Sequence, residues 1–121
     1  MIINRIKKIP KKYSVRYDST ELLRDDLEDL KSLGLDEIWY WYGEGNCEGD
    51  GQLLMRKGNK YEFSTLSHCS CNEPLDNINV HVFNGSTLEE LKNKCSKEYY
   101  LTDLKILFNE AKRRKNENND L

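Results

Sequence analysis

The chain has 121 residues, 37% of them hydrophobic and 33% charged, with a formal net charge of −2. That length specifies one domain, residues 1–121, and that polarity a small core which a staple such as a structural metal would help to hold. The charge balance provides no general attraction to nucleic acid or to an anionic membrane, and it is too mild for a mimic of DNA.

No stretch has the apolar run of a signal peptide or a bilayer span, so a cytoplasmic location is expected. In that compartment thiols stay reduced. The four cysteines then read as metal ligands or buried small residues before they read as disulfides.

Residues 1–17 form a basic N-terminal arm carrying Arg5, Lys7, Lys8, Lys11, Lys12 and Arg16. Pro10 interrupts any regular element there, and Ile2, Ile3 and Ile6 can dock an irregular arm on the core. Two uses stay open: a contact for nucleic acid or an acidic partner, and a solvated lead-in.

Residues 19–33 have the leucine spacing of an amphipathic helix, with Leu23, Leu27 and Leu30 at i, i+4 and i+7 and Leu22 and Leu33 beside them. Asp18 or Ser19 can cap it, and Gly34 can end it. Its outer face is acidic, with Asp25, Asp26, Glu28 and Asp29. Residues 37–42 predict a strand with Ile38, Tyr40 and Tyr42 on one face and Trp39 and Trp41 on the other. Both faces are apolar, which predicts a central strand covered on both sides. The alternative leaves one aromatic face out for a partner or for stacked bases.

Residues 43–51 contain Gly43, Gly45, Gly49 and Gly51 and predict a loop. The tract lacks the Gly-Lys-Ser/Thr ending of a phosphate loop and the oxygen register of a calcium hand. Residues 52–57 and 60–66 predict a β-hairpin turning at Gly58-Asn59. Its second strand leads into His68-Cys69-Ser70-Cys71, and Asn72-Glu73-Pro74 turns away. Residues 78–83 predict a fourth strand. A helix follows to about residue 97, with Ser86 and Glu89 as its capping box and Leu88, Leu91 and Cys95 as its apolar stripe. A last helix starts near Thr102 with Leu104, Leu107, Phe108 and Ala111 facing inward. Residues 116–121 read as a disordered tail. The expected architecture is α+β: an antiparallel sheet of about four strands, with one helix before it and two helices after it.

The chemistry is concentrated in His68-Cys69-Ser70-Cys71. Zn²⁺ takes four ligands from thiolate and imidazole, and Cys47 is the best distant partner for His68, Cys69 and Cys71. Cys95 and His81 are reserves. Adjacent His68 and Cys69 point apart in an extended strand, so joint ligation requires a turn. Buried or idle thiols, and a catalytic or redox cysteine, are the alternatives to a metal site.

An enzyme is not indicated. Cys69 or Cys71 with His81 and Asp76 could be drawn as a hydrolase, but no spacing demands it. A zinc hydrolase would need an open coordination position and a base such as Glu48. The H-x-E and P-C-x-x-C signature of nucleobase deaminases is absent.

A short acidic chain with the tracts Tyr42-Gly43-Glu44-Gly45, Glu48-Gly49-Asp50-Gly51 and His68-Cys69-Ser70-Cys71 resembles the phage-encoded anti-CRISPR proteins, in particular small zinc-containing inhibitors of Cas9. That class shares no fold, so no architecture follows from it. The resemblance implies stoichiometric inhibition: the protein occupies a surface of Cas9 and blocks DNA binding, loading or cleavage, with zinc in a structural role. It implies that Asp25, Asp26, Glu28, Asp29, Glu44 and Glu48 meet the basic surface Cas9 presents to nucleic acid. The alternatives are a zinc-stabilised nucleic-acid module using Trp39, Trp41 and the basic arm, and a metal-dependent hydrolase.

Overall fold

The computed structural model describes residues 1–69, 73–76, 83–96 and 101–119. The centre of the fold is the aromatic strand β3 (Glu37–Gly45), which pairs antiparallel with β4 (Glu48–Lys57). β4 pairs in turn with β5 (Lys60–His68). The second hairpin turns at Gly58-Asn59, as the sequence predicts, with positive φ at Gly58 alone, the demand of a type II′ turn.

The other edge of β3 is covered by two short strands laid end to end. β1 (Ile2–Arg5) runs parallel to residues 37–40, and β2 (Asp18–Ser19) runs antiparallel to Gly43 and Glu44. Among the described residues the sheet is therefore five-stranded and mostly antiparallel. The start of the basic arm is not irregular: the Ile2 and Ile3 backbones complete the edge of β3. Between β1 and β2 the chain makes one turn of helix, α1 (Lys11–Ser14).

Helix α2 (Arg24–Ser32) is shorter than the leucine spacing suggests. Asp18 and Ser19, expected as caps, are committed to β2, and Leu23 is the N-cap with 65% of its surface exposed. Leu22 takes the buried place that Leu23 was expected to hold. Helix α3 (Leu88–Ser96) also starts later than expected, because the Ser86 backbone pairs with Tyr61 in both directions. Thr87 takes over the cap: the Glu90 N–H donates to Thr87 Oγ1, whose hydroxyl donates to the Glu90 carboxylate. Helix α4 (Leu101–Asn119) continues through most of the tail that was read as disordered. The strand predicted over 78–83 lies, but for Phe83, outside the described residues, as do Cys71 and His81.

Both faces of the sheet are covered. On one, Trp39, Trp41, Leu54 and Tyr61 pack with Leu88, Leu91 and Cys95 of α3 and Leu107, Phe108 and Ala111 of α4. On the other, Ile38, Tyr40, Tyr42, Leu53 and Leu66 pack with Leu22, Leu30, Leu35 and Leu75. The alternation read from residues 37–42 is the alternation of the two cores. Trp39 and Trp41 are each 1% exposed, so neither can stack on a base. Among the described residues no helix is long and apolar enough to cross a membrane.

Candidate functional site

The glycine tract of residues 43–51 is a hairpin and not a loop. Residues 45 and 48 pair across a two-residue turn, with Asn46 at φ 52° and Cys47 at φ 64°. Positive φ at both central residues is the signature of a type I′ turn, where glycine is the usual second residue. The four glycines serve close approach on two opposite faces. On the α3/α4 face, a Cβ on Gly43 would meet Tyr17 Cβ at 2.9 Å, and one on Gly45 would meet the Arg16 carbonyl at 2.7 Å. On the α2 face, a Cβ on Gly49 would collide with the Tyr42 hydroxyl and one on Gly51 with the Trp41 carbonyl and the Tyr42 ring.

Tyr42 thus lies flat across β4, and its hydroxyl donates to Glu44 Oε1 at 2.8 Å. His68 pairs with Gly49 on the neighbouring strand, which brings its Nδ1 to 3.7 Å from the same Glu44 oxygen. Burial raises the Tyr42 phenol well above its ordinary pKa, and the Glu44 carboxylate raises it further. Tyr42 stays protonated as a hydrogen-bond donor.

Acids crowd this end of the α2 face. Asp26 has its carboxyl pKa raised, first by burial and then by Glu73 and Asp29. Its Oδ2 is buried with no hydrogen-bond partner among the described residues. Asp25, Glu28 and Asp29 are exposed on the same helix. Among the described residues no ion pair engages Asp25, Asp26, Glu28, Asp29 or Glu73. Glu48 does not join them. It lies on the opposite face, ion-paired to Arg16 at 2.6 Å.

Three of the expected metal ligands are placed at one end of the sheet. Cys47 is exposed at the hairpin tip, His68 is half-buried at the end of β5, and Cys69 follows it, also half-buried. Among the described residues no three His, Cys, Asp or Glu side chains converge as a metal site. Cys71, the fourth expected ligand, and His81 lie outside them. Cys95 is buried in the α3/α4 core.

Two features of the structure were not visible in the sequence. Glu73 reaches the acidic face through a turn whose N–H donates to Asp76 Oδ2, a contact no spacing rule signals. Lys7, Lys8 and Lys11 of the arm line a cleft of about 440 Å³ with Ile9, Ser14, Tyr17, Asp18 and Ser19. Compared with protein-family models, curated proteins and solved structures, the chain shows no match.

Proposed function

We propose that this chain is a stoichiometric binding protein, acting in the cytoplasm, whose acidic face docks on a basic surface of a protein partner. The observation that carries this reading is the crowding around Asp26. Burial raises its carboxyl pKa, Glu73 and Asp29 raise it further, and among the described residues no ion pair engages it, in a chain that has 19 Lys and Arg to supply one. The Leu23 backbone hydrogen bond to Asp26 offsets part of the repulsion on this face, and a basic partner relieves the rest. Asp25, Asp26, Asp29, Glu44 and Glu73 form the contact.

The resemblance to anti-CRISPR inhibitors makes Cas9 the first partner to test, because its nucleic-acid channel is positively charged. In the same proposal a structural zinc is held by Cys47, His68, Cys69 and Cys71.

The test is a titration of Cas9 cleavage and a direct binding measurement with purified protein. Inhibition saturating at one chain per Cas9 supports the reading. The variant Asp25→Lys/Asp29→Lys should weaken binding at least ten-fold and shift its salt dependence. Full inhibition by that variant would show that the face is wrong. No binding by the wild-type chain would remove Cas9 as the partner.

A further inference from the structure

The basic segment is a loop pinned at both ends to the central strand. At its start the Ile6 N–H donates to the Tyr40 carbonyl (2.7 Å), and at its end the Thr20 N–H donates to the Tyr42 carbonyl (2.9 Å). Arg5 donates to Ser19 Oγ across the base of the loop at 3.1 Å. Ile9 and Tyr17 bury themselves in the core beside Trp41, and Gly43 and Gly45 leave room for the loop to close on β3. Residues 1–17 contain six of the chain's Lys and Arg and no Asp or Glu. A floppy arm would spread those charges. The fold gathers them on one rigid surface.

The two arginines and the lysines have different tasks. Arg5 is held by Ser19 and Glu21, and Arg16 by Glu48, so both maintain the shape of the loop. Lys7, Lys8 and Lys11 are exposed around the cleft, and among the described residues no ion pair engages them. The Ser19 hydroxyl accepts from Arg5, which leaves its own proton for an incoming acceptor. One acid, Asp18, stands in the cleft wall and opposes an anion.

We infer that this cleft binds the phosphate backbone of nucleic acid, without reading bases. Three ammonium groups and a hydroxyl across an open groove match a polyanion that runs through it. Neither nearby tyrosine offers a free ring face for a base: Tyr17 lines the cleft but is 5% exposed, and half-buried Tyr13 packs its ring on Trp41 at 4.9 Å. A membrane surface fits less well. Val15, 85% exposed, is the one large apolar side chain standing out from α1, and one valine makes no insertable face. The inference is independent of the acidic-face proposal, since the two use different residues on opposite faces of the sheet.

The test is fluorescence anisotropy of a labelled DNA duplex with the full chain between 50 and 200 mM salt. Three phosphate contacts predict a log–log salt slope of about −2.7, hence an affinity loss of about forty-fold over that range. Lys7→Ala/Lys8→Ala/Lys11→Ala should abolish binding, Asp18→Asn should tighten it, and Lys31→Ala/Lys60→Ala should leave it unchanged. Salt-independent binding, retention by the triple variant, or equal loss in the control variant would overturn the inference. So would competition by inorganic phosphate below millimolar concentration, which assigns the cleft to a small ligand. Binding to anionic vesicles without binding to DNA would assign it to a membrane.

Discussion

Glu37 opens the central strand, and with its side chain 2% exposed it is the most deeply buried charge among the described residues. Its carboxylate accepts from Asn4 Nδ2 of β1 at 2.9 Å, from Arg56 of β4 at 3.2 Å and from Arg114 Nε of α4 at 3.2 Å. One side chain therefore ties four elements together. Removing it leaves two guanidinium groups facing a buried gap, with Arg56 still paired to Asp36 at 3.7 Å and donating to the Gly58 carbonyl. Breaking a buried pair by deleting one partner costs about 3–5 kcal/mol. Arg56 is 21% and Arg114 34% exposed, so water recovers part of that loss, and the lower end, about 3 kcal/mol, is the expectation for Glu37→Ala. Arg114→Met removes one partly exposed contact and should cost about 1 kcal/mol. The assay is urea unfolding followed by tryptophan fluorescence, which the buried Trp39 and Trp41 make sensitive. A cost below about 1 kcal/mol for Glu37→Ala would refute the argument. So would equal costs for the two variants, because Glu37 would then contribute nothing beyond its bond to Arg114.

Further outcomes can be measured on the same protein. Cys47 holds a left-handed conformation that glycine adopts freely, so Cys47→Gly should raise metal-free stability by about 1 kcal/mol, read from the melting temperature. If Cys47 is a zinc ligand, the same variant loses metal by elemental analysis, and its melt no longer responds to chelator. Gly49→Ala drives a methyl group into the Tyr42 hydroxyl and should destabilise by about 1–3 kcal/mol in urea unfolding. The Asp26 carboxyl has a raised folded pKa, so its contribution to stability is full below the ordinary carboxyl range and is lost as pH rises through the raised value. Asp26→Asn should therefore stabilise the protein at pH 7 by on the order of 0.5 kcal/mol, a gain that fades as pH falls towards 4 in a series of thermal melts.

The central strand was legible because its alternation is unambiguous: Ile38, Tyr40 and Tyr42 fall in one core and Trp39 and Trp41 in the other. The apolar stripes of α3 and α4 were legible for the same reason. The glycine tract misled because glycine has two uses that look alike in sequence. It can free a loop, or it can let another group lie against a strand, and Gly43, Gly45, Gly49 and Gly51 do the second. Short strands such as β1 and β2 form because β3 offers an unpaired edge, a tertiary fact that local propensity does not encode. Of the residues read as partner-facing, Asp25, Asp26 and Asp29 crowd together with Glu73, while Glu48 was lost to Arg16 because strand register, invisible in sequence, puts it on the other face.

Register also explains why the net charge of −2 is a poor guide to this molecule. Along β3 and β4, adjacent residues alternate faces, so the hairpin end presents Glu44 towards α2 and Gly43 and Gly45 towards the basic loop. The acids of α2 and Glu73 gather on one face. The lysines of the pinned loop gather on the other. At physiological ionic strength charges separated by more than about 8 Å are largely screened from one another. A partner approaching either face meets that face's own charge and not the sum. A mild total built from two opposed patches therefore permits a basic protein on one side and a phosphate backbone on the other. Composition alone gives no general attraction to the second of these, because it averages over a sheet that keeps the two apart.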